Sequence, residues 1–184
     1  MDSKAYRSRQ LSKLTNEVGV YALSDLDNVK MYVGQSTDGI RTRVRRHLTS
    51  ARSDVIANRL LDVWEVAYVS GWAMPGASKD AIDRVESYLI SRYHKISPLI
   101  NSVIPKAPRS RPVLPNEQVV QILPDEEITV RKQPSLRLPR QIAQIESLFD
   151  YILEVKNSPI QRRALEAHFD RLRRYYEGFL AEYD

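Results

Sequence analysis

The chain has 184 residues, enough for one domain of ordinary size with an appendage, and 42% of them are hydrophobic, enough for a real core. A formal net charge of +5, with 28% charged residues, favours a polyanionic partner and a water-exposed surface. The absence of cysteine excludes disulfide staples, cysteine-based zinc modules and thiol nucleophiles. No apolar run approaches the ~20 residues of a bilayer span and the N-terminus has no apolar signal core, so a cytoplasmic protein with no membrane partner is expected.

A polar, basic leader reaches about Leu14 and precedes "EVGVYAL", whose β-branched and aromatic residues read as a strand. "SDLDNV" is turn-like and "KMYVGQ" is a second strand, so the two predict a hairpin. "STDGIRTRVRRHLTSAR" reads as a helix with Thr37 or Asp38 as N-cap. A third strand is predicted at "VWEVAYVS", a loop at "GWAMPGAS", and a long helix from about Lys79 to Lys95, closed by "SPLINSVIP".

After Pro105 prolines recur every few residues, which resists helix and central strand, and residues 106–140 read as an extended basic linker. In the last segment Ile145, Leu148, Ile152 and Val155 repeat at helical spacing. Ser158 and Pro159 open a second helix, with Leu165, Phe169, Leu172, Tyr176 and Phe179 as its seam. The expected class is α+β. Residues 1–105 would form a small three-stranded antiparallel sheet flanked by helices, 106–140 the Pro-rich linker, and 141–184 a helical hairpin.

The helix after Gly34 carries the densest chemistry. Ile40, Val44 and Leu48 make its apolar stripe, Arg43 and His47 fall together along one margin, Arg45 lies beyond the other margin, and Arg46 faces out. Such an edge can converge on an anion, although a plain solvated basic face has the same pattern. On the later helix Glu86 lands inside the stripe of Ile82, Val85, Leu89 and Tyr93. A carboxylate there needs compensation, either an ion pair with Arg43 or a divalent metal, and both readings stand. Tyr21 and Tyr32 occupy facing strands, each close to a glycine. His94 and His168 read as packing or surface residues, Trp64 as core, and Trp72 as a loop residue that packs rather than stacks on a base.

Taken in order, "GVY" at 19–21, "YVG" at 32–34, Arg43 and His47, Glu86 and Asn101 resemble the GIY-YIG nuclease family over roughly residues 17–104. The resemblance implies an endonuclease that hydrolyses phosphodiester bonds of DNA with a single divalent ion, Mg²⁺ or Mn²⁺. Its catalytic set would be Tyr21, Tyr32, Arg43, His47, Glu86 and Asn101. Glu86 would hold the metal, and Arg43 would clamp the phosphate. Tyr21 would help to activate water as a phenolate, provided its cationic surroundings lower its pKa. Tyr32 would orient phosphate or water, His47 would act in acid/base or phosphate contact, and Asn101 would pin the site.

Gln35 stands where some members carry lysine. With Arg41, Arg45 and Arg46 it is expected to contact nucleic acid, while Lys106, Arg109, Arg111, Arg131, Lys132 and Arg137 of the linker would track phosphates. The hairpin would pack on the nuclease domain or form a homodimer. Two other readings stay open: a catalytically idle nucleic-acid-binding module, and an interaction subunit that works through the C-terminal helices.

Overall fold

The computed structural model describes residues 2–49 and 60–181. At its centre is an antiparallel sheet in the order β2-β1-β3-β4, with β1 at Gly19–Ser24, β2 at Lys30–Ser36, β3 at Tyr68–Ala73 and β4 at Glu117–Gln121. Around it are α1 (Ser3–Lys13), α2 (Ile40–Thr49), α3 (Lys79–His94), α4 (Asp125–Lys132), α5 (Pro134–Glu154) and α6 (Pro159–Ala181). The β1–β2 hairpin and α3 lie where the sequence predicts them. Asn28 takes the positive φ of 57° in the hairpin turn, a region Asn tolerates.

The alternation of each strand divides the core between the two sheet faces. Val20, Ala22, Val33 and Trp72 pack against Ile82, Val85 and Leu89 of α3. Tyr21, Leu23, Val69 and Val120 point to the other face, where they meet Leu11 and Leu14, the α2 stripe Ile40, Val44 and Leu48, and Leu148, Ile152, Ala164 and Ala167 from the C-terminal hairpin. One continuous core therefore joins sheet and hairpin. Truncating one of its fully buried leucines to alanine costs about 2–5 kcal/mol.

The expected fold is corrected in three places. The sheet has four strands rather than three, and its third strand starts at Tyr68. Val63–Glu65 is instead a short 3-10 turn, whose Trp64 N–H is accepted by the Asp62 side chain. Gly71 and Trp72, read as loop, belong to β3, and Trp72 is a core residue packed beside Tyr93.

The Pro-rich stretch is not an extended linker throughout, since it supplies β4, α4 and the first turns of α5. Two of its prolines mark boundaries. Pro124 is the N-cap of α4, and Pro134 sits in the first turn of α5, where a missing N–H costs nothing. Pro139 alone is inside a helix, a position worth roughly 3 kcal/mol of strain. Buried Arg137 and Gln141 anchor α5 on either side of it.

The helical hairpin is present, and Ile145, Leu148 and Ile152 of α5 are buried as expected, but the α6 side of the seam is not the apolar one. On α6 the buried residues are Gln161, Ala164, Ala167, His168, Arg171 and Tyr175, whereas Phe169 and Tyr176 stay 47% and 50% exposed and Val155 of α5 is exposed too. The buried stripe is polar because it meets polar groups. Arg137 pairs with Glu65 at 3.1 Å and Asp27 at 2.7 Å, and Arg140 pairs with Asp62 at 2.8 Å. Asp25 accepts from Arg174 and from the Tyr175 hydroxyl, each at 3.0 Å.

His168 accepts from the Gln141 amide at Nδ1 (2.8 Å) and bonds the Leu60 carbonyl at Nε2 (3.0 Å). Burial, with Arg171 beside it, holds its pKa down at about 4, so the ring is neutral. His94 closes α3 by accepting the Leu99 N–H at 3.1 Å, and Trp64 lies half-buried between Arg131 and Arg140. No helix among the described residues is long and apolar enough to cross a membrane.

Candidate active site

β2 is an outer strand of the sheet, so α2 and α3 flank its free edge from opposite faces. On the α2 face Tyr21 lies opposite Gly34 in the strand register, and its ring crosses the Gly34 backbone. A Cβ at Gly34 would sit 2.6 Å from the Tyr21 hydroxyl and 3.0 Å from the Tyr32 ring, so glycine there is a condition of the cluster. Gly19 has a positive φ of 150°, and a Cβ on it would fall 2.1 Å from the Trp72 carbonyl oxygen on β3. The glycines of "GVY" and "YVG" thus seat the first tyrosine between its neighbouring strands.

Tyr21 is fully buried, and its hydroxyl bonds His47 Nε2 at 2.6 Å. The rings of Tyr21, Tyr32 and His47 stack as a triangle with centroids 5.6–6.1 Å apart. His47 is 3% exposed because its α2 position, one turn after Arg43, faces the sheet beside Val44 and Leu48. The Arg43 guanidinium lies near the Tyr21 hydroxyl, close enough to favour its ionised form.

Burial raises the Tyr21 pKa well above the usual phenol value, aided by neighbouring Tyr32 and outweighing Arg43. The expectation that cationic surroundings lower it does not hold. Tyr21 is a protonated phenol, suited to passing a proton rather than to standing as phenolate.

Glu86 lies on the other side of the β2 edge. It does not pair with Arg43; its carboxylate accepts from the Gln35 amide at 2.9 Å, and the same Nε2 donates to Asp83 at 2.7 Å. Burial raises the Glu86 pKa, Gln35 opposes the shift, and the Asp83 charge adds to it. Gln35 Oε1 is buried without a hydrogen-bond partner, as is Arg43 Nε across the strand. Among the described residues no group of three His, Asp or Glu side chains converges. The Asp83 and Glu86 carboxylates, both bonded by Gln35 Nε2, are nevertheless hard oxygen donors of the kind Mg²⁺ takes together with waters and a phosphate. Asp83 was not among the residues expected here; its signal was a carboxylate three residues before Glu86, on the same side of α3.

Asn101 clamps the edge strand between the tyrosine and the glycine. Its Nδ2 donates to the Val33 carbonyl at 2.6 Å, and its Oδ1 accepts the Val33 N–H at 3.0 Å.

Residues 17–99 match the family model of the GIY-YIG catalytic domain. This segment is a GIY-YIG domain. The match takes in β1, β2, α2, β3 and α3 and stops short of Asn101. No curated protein and no solved structure gives a match. A match to this catalytic domain suggests a nuclease-type function.

The basic residues around the GIY-YIG domain divide into engaged and outward-facing ones. Arg41 donates from Nε to the Leu14 carbonyl at 2.8 Å, Arg46 pairs with Asp38 at 3.0 Å, and Arg45 is exposed. Arg131, Lys132 and Arg137, expected along a phosphate track, are turned to Glu127, Asp27 and Glu65 and hold the fold together. Lys106, Arg109 and Arg111 remain exposed. Their segment runs beside α3, with Arg84 bonded to Ser110 at 3.0 Å and Arg111 over the Tyr88 ring at 5.8 Å.

Proposed function

We propose that the protein is a metal-dependent DNA endonuclease whose site straddles the free edge of β2, with Mg²⁺ or Mn²⁺ held at Glu86. One observation carries the reading: the Arg43 cation and the Glu86 carboxylate flank the same strand without forming an ion pair, Glu86 bonding the Gln35 amide while Arg43 Nε has no hydrogen-bond partner. Opposite charges kept apart at this range leave room for a phosphodiester and its counter-cation between them. Glu86, with Asp83 and the unpartnered Gln35 oxygen, would hold the ion. When bound, it would neutralise charge on the phosphate and on the departing oxygen.

The remaining roles belong to the chain. Arg43 donates to a phosphate oxygen, its charge fixed throughout the reaction. Tyr21, protonated at neutral pH, takes a proton from the attacking water as it hands its own along the 2.6 Å bond to His47 Nε2, which makes His47 the ultimate base and Tyr21 the relay. Tyr32 orients the phosphate from the third corner of the triangle. Exposed Lys106, Arg109 and Arg111 extend the phosphate track past α3.

A catalytically idle nucleic-acid-binding module is the second reading. It is favoured by the single Gln35 amide that occupies both carboxylates. The test is cleavage of a supercoiled plasmid and a labelled single strand in Mg²⁺, Mn²⁺ or EDTA, by wild type and Glu86→Ala. Metal-dependent cleavage lost in the variant supports the nuclease; binding without cleavage under every metal supports the idle module.

A further inference from the structure

The C-terminal hairpin lies outside the GIY-YIG match, yet α6 reaches the strand that carries the site. The connection runs through residues 97–102. This strap lies along the free edge of β2: the Ile100 N–H donates to the Met31 carbonyl at 2.9 Å, and Asn101 takes both backbone groups of Val33. The outward-facing polar groups of an edge strand are thereby paired, as a further strand would pair them.

The strap is itself held from behind by three α6 arginines. Arg163 donates to the Asn101 carbonyl at 3.2 Å and to the Ser102 carbonyl. Arg171 donates to the Pro98 carbonyl at 3.1 Å, and Arg174 to the Ser97 hydroxyl at 3.4 Å. Helical spacing of 8 and 11 residues keeps the three on one side of α6.

We infer that Arg163 is a positioning residue of the active site: from α6 it fixes the Asn101 backbone, Asn101 fixes Val33, and Val33 sets the placement of Tyr32 and Gly34 on either side. The inference rests on the nuclease reading for its catalytic consequence but not for the contact chain. Arg163 touches neither tyrosine nor either carboxylate; it governs how rigidly β2 presents them. Displacement of a reacting group by about 1 Å costs up to roughly a hundredfold in rate, so a loosened β2 edge lowers kcat while phosphate binding through Arg43 persists.

The test compares wild type, Arg163→Ala, Arg163→Lys and a control on the same helix. The control is Arg162→Ala, because Arg162 is exposed and bonds only Asn157 among the described contacts. Hydrogen–deuterium exchange of the Val33 amide is measured alongside plasmid cleavage and thermal unfolding. Arg163→Ala is expected to exchange faster at Val33 by about five- to tenfold, the equivalent of one lost hydrogen bond, with core β1 amides unchanged. Its kcat should fall by about tenfold or more with KM held within about twofold, and Arg163→Lys should recover part of both effects.

Unchanged exchange at Val33, or faster exchange with unchanged kcat, overturns the inference. Equal acceleration at Val33 and across β1 also overturns it, since that marks general destabilisation. If wild type cleaves nothing, the nuclease reading fails by itself and the exchange arm still decides the contact chain.

Discussion

Two charged clusters among the described residues treat charge in opposite ways. Beneath the hairpin, Arg137 meets Glu65 and Asp27, Arg174 meets Asp25, and Arg140 meets Asp62, so opposite charges close on each other. Along β2, Arg43 lies beside the Tyr21 phenol with its Nε unpartnered, and Glu86 bonds an amide. Pairing inside the fold offsets the cost of burying charge and leaves nothing to recognise. On the proposed reading, charge held apart at a strand edge would be compensated from outside, by an anion on one side and a cation on the other. The difference marks which cluster is scaffold and which is site.

The largest expected effect breaks the scaffold side. Arg137→Ala strands the buried Glu65 carboxylate, while exposed Asp27 keeps Lys132, and should cost about 3–5 kcal/mol of unfolding free energy, read from urea denaturation. Arg140, whose partner Asp62 is buried but whose own side chain is half-exposed, should cost clearly less on the same scale. Equal losses would erase the distinction between buried and rim pairs.

On the site side, Gly34→Ala places a methyl group against the Tyr21 hydroxyl. It should destabilise by about 1–3 kcal/mol, as overpacking does, and reduce cleavage more than thermal stability alone explains. A variant that cleaves normally would show that the close approach of Tyr21 to β2 is dispensable.

pH sharpens the comparison further. His168 titrates at about 4 in the folded chain against 6.5 in the unfolded one, through burial and the Arg171 charge. Between those values the unfolded chain binds more protons, so stability falls as pH drops from 6.5 towards 4 and is flat in this respect above 6.5. The limiting slope is about 1.4 kcal/mol per pH unit. Gln141, the Leu60 carbonyl, Arg171 and Asp62 surround the ring. Glu65, pushed up by burial, works in the opposite sense, its contribution being lost as pH rises through its folded pKa. Urea midpoints across this window, compared with His168→Gln, separate the two.

The smallest effect is expected at the surface. Arg46→Ala removes an exposed pair with Asp38 and should change stability by no more than about 0.5–1 kcal/mol.

Much of the site was legible because local pattern alone determines it. The tripeptides at 19–21 and 32–34, the Arg43–His47 turn and the misplaced carboxylate of Glu86 are each short-range signals, and the β-β-α-β-α order follows from hydrophobic period. What stayed hidden depends on distant partners. The Tyr21 pKa is set by packing from α2 and β2 together, which no local count of cations conveys. The polar stripe Gln161, His168 and Arg171 carries no apolar period, so the seam was assigned to Phe169 and Tyr176, which face outward. β4 and α4 stayed hidden because proline density was read as an extended linker, whereas Pro124 and Pro134 mark the starts of α4 and α5.

The most direct test of charge held apart at β2 is Mn²⁺ binding followed by electron paramagnetic resonance, with and without a non-hydrolysable phosphorothioate duplex. Wild type is predicted to bind a single Mn²⁺ more tightly when the duplex is present. Glu86→Ala should lose the ion in both conditions, and Arg43→Ala should keep it but lose the gain from the duplex. Mn²⁺ binding that is indifferent to Glu86, or a duplex effect that survives removal of Arg43, would contradict the account.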